Sequence, residues 1–345
     1  MDVYPGSANW TDWDYFYNDT DPDVTAEMDL RRGLIPAAIF LYALIFLLGV
    51  PGNAAVIWIA GFRMPRKPNP TWFLNLAVAD LLCCLSLPFL VTQLALERRW
   101  LFGWSLCKIL PAATIFSMFA SVFVLTGISV DRCLMTFYPL WAHCRRTVNH
   151  VGLACSLAWA LALLMSLPSS LYREIFTING TDYCTNIYHG EPALTERVIQ
   201  VTRFFFGFLL PFLVIGACNG LIVLKVRGSR FARPGKVHRL VLLVLLGFFV
   251  CWLPYHVVGL LLVARTAGAH DVHAEWKWGL LAVDPLITCL AYLNSCVNPF
   301  LYAFMGRGFK QQVRRSLRHV FENAFEEEGS GLQAKSTAKS VELTA

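Results

Sequence analysis

Seven long apolar blocks, at about 34 to 61, 71 to 96, 105 to 137, 151 to 172, 197 to 225, 238 to 264 and 277 to 304, alternate with short polar stretches. As a helix, each is long enough to cross a hydrocarbon core, which takes about 20 residues. None keeps the polar stripe that a surface helix of a water-soluble protein turns to solvent. The pattern predicts an all-α membrane protein, a seven-transmembrane helix bundle over 34–304. Prolines fall inside several blocks (Pro51, Pro88, Pro111, Pro168, Pro211, Pro254, Pro285, Pro299), as membrane helices tolerate when neighbours satisfy the freed backbone groups.

Composition agrees. The chain is 56% hydrophobic and 15% charged, against about 45 to 50% and 25% in soluble domains, and its mean hydropathy is +0.52. Lysines and arginines collect in alternate loops: Arg63, Arg66 and Lys67; Arg145 and Arg146; Lys225, Arg227, Arg230, Arg233, Lys236 and Arg239; then Arg307, Lys310, Arg314, Arg315 and Arg318 after the last block. Positive loops stay in the cytoplasm, so the C-terminus is expected inside and residues 1–33 outside, as an acidic tail. The outer side also holds the N-glycosylation sequons at Asn9, Asn18 and Asn179. The first thirty residues lack an apolar leader core, so no cleavable leader is expected and the first block itself directs insertion.

Most of the eleven cysteines lie inside apolar blocks, where a thiol packs as a small apolar group. Cys107 and Cys184 instead fall on the oxidising outer side, where a disulfide persists, and they are expected to pair. Asp131 and Arg132 stand side by side at the inner end of the third block. Either Arg132 reaches to the lipid headgroups, or the pair is functional. Asp80, Ser121, Asn294 and Asn298 are polar residues within the spans. A carboxylate at mid-membrane needs partners or a cation, which leaves two readings: a water-linked polar cluster, or a sodium site built on Asp80.

Gly52-Asn53, NLAVAD ending at Asp80, Cys107, DRC at 131 to 133, Trp159, Pro211, CWLP at 251 to 254 and NPFLY at 298 to 302 together resemble the rhodopsin-like G-protein-coupled receptors, over about residues 34 to 321. WFLNLAVADLLCCLSLPF, RRWLFGWSLCKILP, SLPSSLYREIF, RFFFGFLLPF and AYLNSCVNPFLYAFMGRGF are similar to the chemoattractant group, most closely the anaphylatoxin chemotactic receptors for complement component 5a. The resemblance implies that Asp131 holds Arg132 at rest and releases it to a G protein. Trp252, Asn298, Pro299 and Tyr302 would be the moving parts. It also implies an inhibitory-type G protein, leukocyte chemotaxis, arrestin as a second partner, and a plasma-membrane location. One departure stands out: eight residues after Pro211 the family usually has a tyrosine, and here Asn219 stands. A receptor for formyl peptides or a chemerin-like ligand is the alternative, as is a scavenging or arrestin-biased receptor for the same fragment.

Arg173, Glu196, Arg203, Tyr255 and Asp284 lie toward the outer ends of the spans. They are expected to form a pocket of both charge signs under a dry roof of Ile115, Met118 and Trp252. Asp284 would fork the guanidinium of a peptide's last arginine, and Arg203 or Arg173 would take its carboxylate. Tyr15 and Tyr17 sit among Asp12, Asp14 and Asp19, a setting for sulfation, and would steer a basic protein by long-range attraction. Residues 305–321 carry Phe309, Val313 and Leu317 at helical spacing with arginines opposite, a pattern for a helix lying on the lipid bilayer. In the polar tail, 322–345, Ser330, Ser336, Thr337, Ser340 and Thr344 are phosphorylation candidates.

Other classes fit poorly. There is no metal-spaced His or Cys cluster and no phosphate-cradling glycine loop, so neither an enzyme nor a nucleic-acid partner is expected, and no cofactor beyond an allosteric sodium ion. A transporter would show related halves. An opsin would carry a lysine in the middle of the seventh span.

Overall fold

The computed structural model describes residues 22–188, 190–227, 234–265 and 274–305, with side chains over 33–188, 190–225, 246–262 and 282–299. Its elements are α1 (Pro22–Trp58, continued by a π-helical turn, Ile59–Arg63), α2 (Pro68–Leu85), α3 (Leu87–Ala95), α4 (Gly103–Phe137), α5 (Pro139–Arg145), α6 (Val148–Leu171), β1 (Arg173–Ile178), β2 (Thr181–Asn186), α7 (Pro192–Phe204, continued by a π turn, Phe205–Leu209), α8 (Leu210–Arg227), α9 (Pro234–Arg265) and α10 (Ala274–Met305). Five rods are long and apolar enough to span a bilayer, and Leu246–Leu262 within α9 is a shorter apolar stretch. The helix expected over 305–321 and the tail beyond it lie outside the described residues, apart from the Met305 backbone.

Prolines punctuate the rods. Pro68, Pro139 and Pro192 open α2, α5 and α7, where the missing N–H costs nothing and φ is preset. The second apolar block, expected as one rod over 71 to 96, breaks at Ser86 between α2 and α3. Pro88 cannot donate to the carbonyl of Cys84, and its ring crowds that carbonyl. The Ser86 hydroxyl donates to the Cys83 carbonyl at 2.7 Å, satisfying an acceptor at the break. The π turn at Phe205–Leu209 sits just before Pro211, where an extra residue in the turn relieves the same kind of clash.

Two features differ from the expected loops. Residues 139–145 form a short helix, opened by Pro139. The stretch after α6 is an antiparallel hairpin, with Ile178 opposite Thr181 and Ile175 opposite Cys184. Asn179 and Gly180 make its two-residue turn with φ of 50° and 77°, the left-handed pair that matches hairpin twist. That places the Asn179 sequon at an exposed tip.

α4 runs through the middle of the bundle, against α2, α6 and α8, while α10 packs on α1 and α9. The core joins Tyr42, Leu76, Val122, Ile215, Phe248 and Trp252 from five rods. The outward faces are apolar too: Phe40 is 68% exposed, Leu47 65% and Leu164 61%. Close approach of α4 to α2 depends on Gly127, where a Cβ would lie 2.6 Å from the buried Trp72 ring. Gly127→Ala is expected to lower stability by about 1–3 kcal/mol through overpacking. Thermal unfolding of the purified variant checks it, and an unchanged midpoint would show that the ring moves aside freely.

Candidate functional site

At the hairpin end, Cys107 on α4 bonds Cys184 on β2, with Cα atoms 5.7 Å apart. The expected disulfide is therefore present, and it draws the hairpin across the bundle. Trp100 N–H donates to the Asp182 carbonyl at 2.8 Å, and Lys108 pairs with Glu174 at 2.7 Å.

Beneath the hairpin is a cavity of about 210 Å³, lined among others by Ile115, Met118, Arg173, Arg203, Tyr255 and Tyr292. Three of the five expected ligand residues thus meet in one space. Glu196 and Asp284 are not in its lining. Glu196 precedes Arg203 by two helical turns, about 10 Å further out at 1.5 Å per residue, and Asp284 lies one turn beyond Thr288, which does line the cavity. The expectation of both charge signs is corrected for the lining: among the described residues its charged side chains are arginines, with the two carboxylates nearer the rim. The expected dry roof of Ile115, Met118 and Trp252 does come together around one small apolar cavity, whereas the larger cavity is partly polar. Cys184 and Asn186 of the hairpin line the larger one, and so do Ser86, Gln93, Thr114 and Ser169. Trp252 lines the smaller, deeper cavity of about 20 Å³ with Ile115, Met118, Phe119 and His256, and Arg203 and Tyr255 border both cavities. The Trp252 ring is stacked on His256 with ring centroids 5.9 Å apart.

The two arginines are held but not saturated. Arg173 Nη1 donates to the Cys184 carbonyl at 3.0 Å, and Arg203 Nη2 donates to Ser169 Oγ at 2.7 Å. The buried Nε of Arg203 has no hydrogen-bond partner. Burial pushes the Arg173 guanidinium below its ordinary range; the Tyr188 phenol opposes this, while Arg203 and Arg98 push it further down. Burial raises the Tyr188 phenol, as does Glu196, against the pull of Arg203 and Arg173. Two guanidinium groups facing one space suit a carboxylate.

A polar chain leads from the cavity toward the bundle centre. The Tyr292 hydroxyl lies 3.2 Å from Ser86 Oγ, beside the break that precedes α3. Deeper still, the fully buried Asp80 accepts from Ser121 Oγ and from Asn298 Nδ2, both at 2.7 Å. Asn53 Nδ2 donates to the Ser295 carbonyl at 3.0 Å, and Asn294 Nδ2 is buried without a partner. Of the four residues expected around a sodium ion, Ser121 and Asn298 thus bond directly to the Asp80 carboxylate. Their oxygens are of the type a hard cation takes. Pro299 packs close to Gly52, and the Tyr302 side chain lies outside the described residues.

At the opposite end, Asp131 accepts from Arg146 through both carboxylate oxygens, at 2.7 Å from Nε and 2.6 Å from Nη2. The same Nη2 also meets Asn69 Oδ1. Arg146 was legible only as one of several loop cations; an arginine fifteen residues past an aspartate in a short loop is a weak signal. The carboxylate expected to hold Arg132 is thus gripped by an arginine of the loop before α6. Asn219 is buried and turns its Nδ2 back to the Ile215 carbonyl at 2.9 Å, bonding within its own helix. Asn9, Asn18, Tyr15, Tyr17 and the tail serines and threonines lie outside the described residues.

A family profile described as "7 transmembrane receptor (rhodopsin family)" matches residues 52–302. The chain is 42% identical to a C3a anaphylatoxin chemotactic receptor of Danio rerio, over 96% of this chain and 89% of the relative. It is 38% identical to a C5a anaphylatoxin chemotactic receptor 1 of Oryctolagus cuniculus, over 93% and 91%, and 36% identical to the Homo sapiens receptor of that description, over 97% and 96%.

Proposed function

Since the chain belongs to the rhodopsin family of seven-transmembrane receptors, and within it to the anaphylatoxin chemotactic receptors, we propose that it binds a basic chemotactic fragment of complement outside the cell and activates an inhibitory-type G protein inside. Complement component 5a is the first reading. The observation that carries it is the pair of half-buried arginines in one cavity under a disulfide-tied hairpin, which fits the carboxylate of an inserted peptide tail. Asp284, nearer the rim, takes the guanidinium of the tail's last arginine, and Tyr255 closes the cavity wall between them. C3a is the second reading, favoured by the 42% identity to receptors named for it.

The acidic residues 1–33, with Tyr15 and Tyr17 sulfated, steer and hold the basic body of the fragment. Two modest contacts on one chain then act together through effective concentration. Agonist in the cavity shifts Trp252 and the segment from Asn298 to Tyr302, and Arg132 leaves Asp131 to meet the G protein. A sodium ion bound to oxygens of Asp80, Ser121 and Asn294 or Asn298 stabilises the resting arrangement by neutralising Asp80. The receptor stands in the plasma membrane with its N-terminus outside, and phosphorylation at Ser330, Ser336, Thr337, Ser340 or Thr344 recruits arrestin.

The test is binding and G-protein activation in cells expressing the chain, with C5a and C3a, each intact and lacking its last residue. Binding and signalling by one intact fragment, both weakened by removal of its last residue, support the reading. Failure of both fragments overturns it in favour of formyl-peptide or chemerin-like ligands; binding without activation identifies a scavenging or arrestin-biased receptor. Arg132→Ala is expected to keep surface expression and agonist binding while G-protein activation falls to background. Lost expression would instead make the Asp131–Arg132 pair a structural one.

A further inference from the structure

We propose that, before ligand arrives, the cavity between Arg173 and Arg203 holds a small monovalent anion, chloride in physiological salt, which the agonist's carboxylate displaces. The anion site stands on the geometry alone; the displacement rests on the reading of the ligand given above.

Three observations carry it. Arg173 and Arg203 line one cavity, and no aspartate or glutamate lines it among the described residues. The Arg203 Nε is buried and lacks a hydrogen-bond partner, which is costly for a charged group. The hairpin, fastened by its disulfide, contributes Cys184 and Asn186 to the lining and limits how fully bulk water can screen the two cations.

Water in the cavity could meet the open N–H, but it brings no charge to offset two guanidinium groups facing the same space. An anion does both. Other edges of the two arginines are already engaged, with Ser169 and with the Cys184 carbonyl. The hydrogen bonds described engage one N–H of each guanidinium, which leaves donors on both arginines for a small anion between them. Gln93 and Asn186 in the lining carry amide N–H groups that can serve the rest of its shell. Glu196 and Asp284 do not line the cavity.

The experiment uses the purified, ligand-free receptor. Its unfolding midpoint is followed while sodium chloride, or sodium bromide, replaces the sodium salt of the bulky sulfonate HEPES at constant ionic strength. A saturable rise in the midpoint is expected for both halides. Arg203→Gln should abolish the rise and Arg203→Lys should keep part of it. Equal midpoints in halide and sulfonate, or the same rise in Arg203→Gln, would overturn the anion site.

A second measurement on the unaltered receptor keeps the test independent of how well the variants fold. Affinity is compared for an agonist tail peptide ending in a free acid and for its amide, in both salts. If chloride is displaced, the acid gains several-fold in affinity when chloride is removed and the amide does not. If the acid exceeds the amide by one constant ratio in both salts, the anion proposal fails and the carboxylate reading survives. If acid and amide bind alike throughout, the carboxylate reading itself fails.

Discussion

Arg203→Gln is expected to weaken an agonist ending in a free carboxylate by at least about 30-fold, the lower end of the 2 to 5 kcal/mol lost when a buried, hydrogen-bonded charge pair loses one partner. Arg203 is the more informative of the two arginines. Its present partner is a serine hydroxyl, and its Nε has no competing bond to surrender. Arg173 also ties the hairpin through the Cys184 carbonyl, so changing it would alter lid and ligand contact together. Arg203→Lys keeps the charge but loses the planar fork, and an intermediate loss is expected. Equilibrium binding of the acid and amide forms of one tail peptide checks the prediction. The variant should bind both forms equally, and a preserved preference for the acid would remove Arg203 from the carboxylate site.

Cys107→Ser has the second large effect. Removing a native disulfide costs about 2–5 kcal/mol in small domains, and here it also frees the hairpin that covers the cavity. The ties that remain include the Trp100–Asp182 backbone bond, the isolated bridge between Arg99 and Tyr183, the packing of Ile175 near Cys107, and the Lys108–Glu174 pair. That ion pair is partly exposed, with side-chain accessibilities of 19% and 37%, so it adds at most about 1 kcal/mol. Agonist affinity should fall by tenfold or more, with a lower unfolding midpoint, and Cys184→Ser should match it. Radioligand binding on surface-expressed protein and thermal unfolding read the two effects. Unchanged affinity in both serine variants would mean that the bundle, rather than the hairpin, shapes the cavity.

The rods were legible because a bilayer makes length and apolarity nearly sufficient evidence for a helix. Local breaks were not. Pro88 was visible as a proline, but only the backbone geometry shows that Ser86 takes up the Cys83 carbonyl and ends α2 there. At Asn179-Gly180 a strong hairpin signal was read only as part of a sequon, since a loop between membrane spans carries no prior for strands. The disulfide was readable from compartment and position, whereas the lining's sign of charge was not. Whether Glu196 and Arg203 reach the same space depends on a rise of two turns along α7, and whether Asp284 enters depends on how α10 sits against its neighbours. The grip of Arg146 on Asp131 escaped for a similar reason: it crosses from one rod to a loop, and nothing in the order of residues marks who meets whom.

The apolar outer faces have a consequence for handling the molecule. Phe40, Leu47 and Leu164 lie on a surface that water would not tolerate, so the free energy of the folded state includes the medium wrapped around it. Unfolding in a detergent micelle and in a lipid nanodisc would therefore measure two different equilibria, even with every internal contact the same. A substitution at one of these positions would change how the protein partitions, associates and extracts while leaving the cavity and the buried carboxylate untouched.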